Sequence, residues 1–206
     1  MFVADECNHR IVQFDKNMQF IKAFGSKGNK NGQFQNPYGI AMDADNNIVV
    51  IDRDNHRIQK FSKDGKWIQT IGKQGSGDGE FNRPWDVAVC KTSGRIFVSD
   101  CWNFRIQVFS SDGKFLFKFG LYGLENGQLQ FPSGLALSNC GQYLFVCDWN
   151  NHRIQLFNTT TGEFVKSYGS NGSDDGQFSR PAGICISPSG QIIVSEHIRN
   201  RVQIFE

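Results

Sequence analysis

The stretch RDNHRIQKF, residues 53–61, decides the fold because versions of it recur along the whole chain. The other versions are ECNHRIVQF at 6–14, CWNFRIQVF at 101–109, WNNHRIQLF at 149–157 and IRNRVQIF at 198–205. The arginine of each version lies 47 or 48 residues from the arginine of the next. A fixed period of this size indicates a protein built from repeated structural units that stack on their neighbours.

Each period contains four short strand signals separated by turns. In the second unit the strand signals are YGIAMD, NIVVID, HRIQKFS and WIQTIG, and the turns between them are DADN, RDN and KDGK. Asp, Asn and Gly tolerate the backbone conformations that tight turns require. Four strands in a period near 48 residues match one blade of a β-propeller. We therefore predict an all-β fold made of four-stranded antiparallel blades.

The recurring string DxxNHRI[QV]xF resembles the NHL repeat, and the resemblance covers essentially the whole chain. The phrases DNHRIQ, NGQFQNP and RPWDVAV are most similar to the NHL domains at the C-terminus of TRIM-type proteins. The chain departs from the pattern at Phe104, where histidine is expected, and at Glu196 and Asn200, which replace aspartate and histidine. The resemblance implies a ring of six blades.

The copies are not all complete. Three full blades are predicted at 36–72, 83–120 and 131–169, with strands two to four of a blade in 1–25 and strands one to three of a blade in 180–206. We expect residues 1–206 to form a single NHL-repeat propeller region, an incomplete portion of about five blades from a six-bladed ring. The alternative is a five-bladed ring in which the first and last pieces pair.

Composition narrows the class of protein. The formal net charge is +2, from 22 basic and 20 acidic residues, which does not favour a general affinity for nucleic acid or membrane. No apolar stretch is long enough for a transmembrane helix, and the N-terminus lacks the pattern of a signal peptide. The six cysteines form no CxxC pair, so we predict reduced thiols in a cytoplasmic protein. Glycosylation-type triplets at Asn158 and Asn171 leave a secreted protein as the alternative.

The positions of the histidines favour a structural role over a catalytic one. His9, His56 and His152 occupy one equivalent position in different blades, so they cannot converge on one substrate. The recurring Asp–Arg pair is best explained as a charge-assisted clasp within or between blades. No HExxH, CxxC or calcium-loop pattern occurs, so we predict no catalytic residue, no metal, no cofactor and no small-molecule substrate. A metal-dependent lyase propeller is a minor alternative, and His197 is the only histidine outside the repeated position.

The loops that break the repeat predict a binding face. In an antiparallel blade, the loops that enter strand one and those that join strands two and three lie at the same end of the ring, here called the top face. Their variable aromatic and basic residues are candidates for contact with RNA or a protein partner: Tyr38, Arg53, Arg83, Trp85, Trp102, Trp149, Arg180, His197 and Arg199. Aromatic and arginine side chains suit stacking on unpaired bases and equally suit a protein hot spot.

These observations predict a non-enzymatic recognition module. By resemblance it would bind RNA, single-stranded or in a stem-loop, or a protein, within a TRIM-like post-transcriptional regulator or as a substrate adaptor of a ubiquitin ligase. A scaffold that binds only proteins is the alternative. Any ubiquitin-ligase activity would need a RING domain, which these residues do not contain.

Overall fold

Eighteen strands form five separate antiparallel sheets around a common axis in the computed structural model, which describes residues 1–206. The protein is a five-bladed β-propeller, as the repeats predict. The first blade contains β1 (Phe2–Asp5), β2 (Arg10–Phe14) and β3 (Phe20–Phe24). The second contains β4 (Pro37–Met42), β5 (Ile48–Asp52), β6 (Arg57–Phe61) and β7 (Trp67–Ile71).

The remaining blades repeat this order. The third blade contains β8 (Val87–Val89), β9 (Ile96–Asp100), β10 (Arg105–Phe109) and β11 (Phe115–Phe119). The fourth contains β12 (Pro132–Leu137), β13 (Tyr143–Asp148), β14 (Arg153–Asn158) and β15 (Phe164–Tyr168). The fifth contains β16 (Pro181–Ile186), β17 (Ile192–Glu196) and β18 (Arg201–Phe205). The only helices are single 3-10 turns, and none has the length or apolar character to cross a membrane.

The apolar core is divided into four clusters, each between two consecutive blades. The loop that leads into each of the second to fifth blades, here called the entry loop, contributes one buried side chain to a cluster. These side chains are Phe34, Phe81, Leu129 and Phe178. The preceding glycine is required for this insertion: Gly72 has φ +85°, and a Cβ there would lie 2.3 Å from the ring of Phe81. Each sheet is therefore stabilised by packing on its neighbours, and the buried side chains of the loops take part in that packing.

The sheets at the two ends of the array each pack on one neighbour. The sheet of β1–β3 and the sheet of β16–β18 share no strand pairing, and no apolar cluster contains residues of both. Large apolar side chains on these end sheets are exposed, among them Phe20 and Ile204. Apolar packing therefore joins each blade to its neighbours in sequence, from the first to the fifth, and does not join the fifth blade to the first.

A buried carboxylate clasp closes the top of the second to fifth blades. Asp52 is fully buried and accepts hydrogen bonds from Arg57 Nε at 2.7 Å, Asn55 Nδ2 at 2.9 Å and Gln59 Nε2 at 3.0 Å. Its other oxygen accepts from the backbone N–H of Gln35 at 2.7 Å. Burial raises the pKa of this carboxyl, and the donors around it oppose that effect.

The arginine of the clasp also holds the loop that enters the blade. Arg57 donates to the carbonyl oxygens of Asn29, Lys30 and Gln33 at 2.8 to 2.9 Å. The same arrangement recurs in later blades with Asp100 and Arg105, Asp148 and Arg153, and Glu196 and Arg201. The predicted clasp is confirmed, and it joins each blade to its own entry loop.

The repeated histidine hydrogen-bonds to the following blade. His56 has a left-handed backbone, with φ +54°, and its Nδ1 accepts from the backbone N–H of Arg83 at 3.0 Å. His9 and His152 make the same bond to Asn36 and Arg180. These imidazoles are acceptors between blades, which agrees with the architectural interpretation of the repeat.

One seam between blades lacks this hydrogen bond. Phe104 stands where the histidine would be, and its ring packs edge-on against Phe131 of the next blade, with 5.1 Å between ring centroids. It also contacts Tyr122, at 4.9 Å. An aromatic contact therefore replaces the polar one between the third and fourth blades.

The clasp predicts a stability difference between two equivalent arginines. Replacing buried Arg105 by alanine leaves Asp100 buried without its cation, and we expect a loss of about 3 kcal/mol in the free energy of unfolding. Arg10 pairs with Asp5 at the surface, where its side chain is 46% exposed, so Arg10→Ala should cost less than about 1 kcal/mol. Urea unfolding of both variants measures this. Equal losses would contradict the clasp.

The histidine bonds predict a pH dependence of stability. Burial lowers the pKa of His56 and His152 in the folded state, so the unfolded chain binds more protons below about pH 6.5. Their contribution is complete above that pH and is lost as the pH falls through the lowered values. We expect the double variant His56→Phe, His152→Phe to lose less stability than the wild type between about pH 7 and 5. Urea unfolding across this range tests the difference, and an unchanged slope would refute it.

Candidate functional site

The clasp and the histidine bond together position the residues at the top face. The backbone N–H of Asn82 donates to Asp100 at 2.7 Å, and that of Arg83 donates to His56 at 3.0 Å. Two residues later, Trp85 leads into the inner strand β8 of the third blade. The direction in which these side chains leave the backbone is therefore fixed by hydrogen bonds that the repeat supplies.

An aromatic pocket lies between the third and fourth blades at this face. Its volume is about 260 Å³, and it is lined by Trp85, Cys101, Trp102, Phe131, Ser133 and Trp149. The ring of Phe131 lies between those of Trp102 and Trp149, with centroid distances of 6.0 and 6.4 Å. Trp102 is 48% exposed. The wall is thus apolar and open to solvent, and its rings pack edge-to-face on one another.

Arg53 connects the second and third blades beside this pocket. Its guanidinium lies 5.2 Å from the ring centroid of Tyr38 and 5.6 Å from that of Trp85. It also forms a 2.8 Å salt bridge with Glu6 of the first blade and a 3.4 Å contact with Asp54. Its positive charge is therefore already compensated.

The other two arginines differ in their partners. Arg83 donates two hydrogen bonds to Asp54, at 3.0 and 2.8 Å, and lies 5.5 Å from the ring centroid of Trp102. Arg180 lies 4.3 Å from the ring centroid of Trp149 and has no carboxylate partner. Arg180 is thus the arginine whose charge remains available next to the pocket.

Eight of the nine candidate residues form this connected surface, and one does not. The ring of His197 lies 6.1 Å from Trp149 and extends the row of rings into the fifth blade. Arg199 is exposed and contacts none of these side chains. It occupies the position at which Asn151 and its equivalents donate to the buried carboxylate. Arg199 lies in the loop between β17 and β18 at the top face, apart from the connected surface of the other eight residues.

The buried thiol of the aromatic pocket is poorly suited to act as a nucleophile. Burial raises the pKa of Cys101 to about 12, and the nearby Asp100 carboxylate acts in the same direction. A nucleophilic cysteine needs the thiolate form. Cys101 contributes to the pocket as an apolar wall.

Asp86 is the residue at this site that the sequence analysis missed. It follows Trp85 directly, in the position that Gly39, Gly134 and Gly183 hold in the other blades. One carboxylate oxygen accepts from the backbone N–H of Val87 at 2.8 Å, and the other accepts from that of Leu135 in the next blade at 2.9 Å. A comparison of the strings NPYG, RPWD, FPSG and RPAG carries the signal, because three of them end in glycine.

Asp86 faces a second cavity, formed between the inner strands of the blades and here called the channel cavity. The volume is about 380 Å³, and the lining residues are Tyr38, Gly39, Ile40, Trp85, Asp86, Gly134, Ala182, Gly183 and Ser195. Burial raises the pKa of Asp86 to about 6. Trp85 borders both cavities, so the aromatic pocket and the channel cavity adjoin at this residue. No cluster of three or more His, Cys, Asp or Glu side chains is placed to hold a metal ion.

Comparison with protein families gives one match. The model of the NHL repeat matches residues 34–61, 81–109, 129–157 and 178–205, more than half of the chain. Each match begins at the buried residue of an entry loop and ends at the third strand of the blade. The comparison with curated proteins gives no match.

Similar solved structures include three enzymes. A streptogramin B lyase structure is 18% identical with a TM-score of 0.70, covering 100% of this chain and 64% of its own. A gluconolactonase from Xanthomonas campestris is 19% identical with a TM-score of 0.73, covering 100% and 68%. Virginiamycin B lyase from Staphylococcus aureus is 15% identical with a TM-score of 0.69, covering 99% and 65%. At these identities the likeness shows the propeller fold alone.

The two kinds of cysteine predict different reactivity. Cys140 is exposed, and a hydrogen bond from Ser138 lowers the pKa of its thiol, so we expect iodoacetamide to modify it first. Cys101 and Cys147 are buried with raised pKa values and should stay unmodified until urea unfolds the chain. Mass spectrometry of the alkylated peptides measures the order. Equal rates at Cys101 and Cys140 would show that the aromatic pocket does not protect its thiol.

Proposed function

This chain belongs to the NHL repeat family, and on that premise we propose that its top face recognises a protein partner, with the aromatic pocket as the centre of contact. The pocket is concave, apolar and edged by an exposed tryptophan. Exposed apolar pockets of this kind are typical of interaction sites, and buried tryptophan and arginine contacts dominate the binding energy of many protein interfaces.

The charge distribution favours a protein over RNA. Binding to nucleic acid depends mainly on free cations that neutralise phosphates. Of the three arginines beside the pocket, Arg53 and Arg83 are paired with carboxylates, and Arg180 is not. The formal net charge of +2 adds little to a long-range attraction. We therefore propose a protein partner and treat RNA as the alternative, which the binding test includes.

Three sequence strings support a proposal on the type of protein in which this recognition takes place. DNHRIQ, NGQFQNP and RPWDVAV are similar to TRIM-type NHL domains, and we propose a non-catalytic module of that type, acting in the cytoplasm. In this setting the propeller would present a bound protein to a ubiquitin ligase.

An enzyme is a second candidate function, favoured by one observation. Asp86 lines the channel cavity with a pKa raised to about 6, and a carboxyl with such a value can exchange protons near neutral pH. The similar solved structures include lyases and a lactonase. Against this candidate, both oxygens of Asp86 already accept backbone hydrogen bonds, and no metal-binding cluster accompanies it.

Two tryptophans allow a matched test of the proposed function. A random-peptide phage library panned against the chain should give binders, and Trp102→Ala should weaken them by about thirtyfold, the effect of losing a hot spot of about 2 kcal/mol. Trp67 is the control, because it is similarly exposed at 41% but lies on the outer strand β7. Trp67→Ala should leave binding unchanged.

A random RNA pool, bound at low and high salt, completes the test. We expect no salt-dependent enrichment of RNA sequences. RNA binders without peptide binders would replace the proposal by an RNA-binding function. Peptide binders that are insensitive to Trp102→Ala would remove the aromatic pocket from it.

A further inference from the structure

Asp86 is the only side chain that breaks an inner ring of glycines. The equivalent positions in the second, fourth and fifth blades are Gly39, Gly134 and Gly183. A Cβ on Gly134 would lie 2.5 Å from the carbonyl oxygen of Ala182, and a Cβ on Gly39 would lie 2.5 Å from Asp86 Oδ1. The bare backbone of the neighbouring blades thus leaves room for one carboxylate at the wall of the channel cavity.

The charge of Asp86 has no cationic partner within the chain. The carboxylates of the clasps each bind an arginine, whereas Asp86 takes part in no salt bridge and accepts only two backbone hydrogen bonds. A carboxylate removed from water without a counter-charge destabilises a protein unless something compensates it. This cost is expressed in its raised pKa of about 6.

The channel cavity that holds Asp86 has two aromatic residues, Tyr38 and Trp85, in its lining. Trp85 borders both the aromatic pocket and the channel cavity, and the ring of Tyr38 lies 4.4 Å from it between centroids. A ligand that reaches the carboxylate from the top face therefore needs an apolar stem beside these rings and a charged end. Lysine has this shape, with a hydrocarbon stem that buries on apolar surface and an ammonium at its tip.

A point charge suits Asp86 better than a planar guanidinium. Arginine binds a carboxylate best through two parallel hydrogen bonds that use both oxygens. At Asp86 each oxygen already accepts one backbone N–H, from Val87 and from Leu135. An ammonium group needs only one free acceptor direction and can also lie against an indole face.

We propose that Asp86 is a cation site for the primary ammonium group of a lysine side chain, which enters the channel cavity past Trp85 from the bound partner. This inference rests on the proposed function, because it names the side chain by which the partner is recognised. The contact would give specificity for a basic residue at one position of the partner, beyond the apolar contacts of the aromatic pocket.

A matched pair of small probes tests the site directly. N-acetyl-lysine methylamide and N-acetyl-norleucine methylamide share the stem but differ in the ammonium group. We expect the full chain to bind the lysine compound at least about tenfold more tightly, equivalent to about 1.4 kcal/mol, as measured by NMR titration. Asp86→Asn should abolish the difference. Asp86→Gly should do the same, and it introduces the residue that the other three blades have at this position.

The pH dependence gives a second readout. Protonation of Asp86 should weaken binding of the lysine compound as the pH falls below about 6, and the Asp86→Asn variant should show no such change. The other ionisable groups facing Asp86 are Tyr38 and Cys147, and burial raises the pKa of both. Arg53 contacts the ring of Tyr38, and Glu6 pairs with Arg53. Both residues, and His197, are unchanged in the Asp86→Asn variant.

The outcomes separate the two proposals. Equal binding of the two probes, or a preference for lysine that survives in both Asp86 variants, overturns the cation site whatever the phage library yields. A preference that depends on Asp86, without any peptide binder from the library, supports the site while the proposed protein-recognition function fails.

Discussion

The rest of the structure depends on the hydrogen bonds of the buried carboxylate in the second to fifth blades. Asp52 joins the end of the second strand to Arg57 and Gln59 of the third strand and to the backbone just before the inner strand. Arg57 in turn holds the carbonyl groups of the entry loop. Because the loop is held at both places, the residues that follow it leave the blade in a fixed direction. The top face is a consequence of this bond, repeated from blade to blade.

The repeated and the unrepeated residues have different tasks. Equivalent residues build the scaffold: the repeated histidines accept from the same backbone N–H of the next blade, and the carboxylates of the second to fifth blades accept from the same backbone N–H of the entry loop. The side chains that we propose for recognition are found where a copy departs from the pattern. Trp102 and Trp149 take positions at which no other blade has a tryptophan, and Asp86 takes the place of a glycine. These departures lie together at the third and fourth blades. The aromatic pocket lies between these two blades, and the channel cavity is lined by residues of the second to fifth blades.

Much of the fold could be predicted from the sequence because its signals are local and repeated. The strands follow from alternating apolar residues and turn residues within one period, and the clasp follows from an Asp–Arg pair only five residues apart. The site was less predictable. The pairing of Arg53 with Glu6 joins residues in different blades, so a count of top-face arginines overestimates the free positive charge. Asp86 could not be predicted from its own blade, because its significance depends on the glycines at the equivalent positions of the other blades.

The short range of the clasp has a kinetic consequence. The bonds of Arg57 to its entry loop join residues 24 to 28 positions apart, and the apolar clusters never reach beyond the adjacent blade. In an array whose units pack mainly on their neighbours, nucleation in one unit can propagate to the next. An apolar cluster can therefore form during synthesis once the two adjacent blades that share it have left the ribosome.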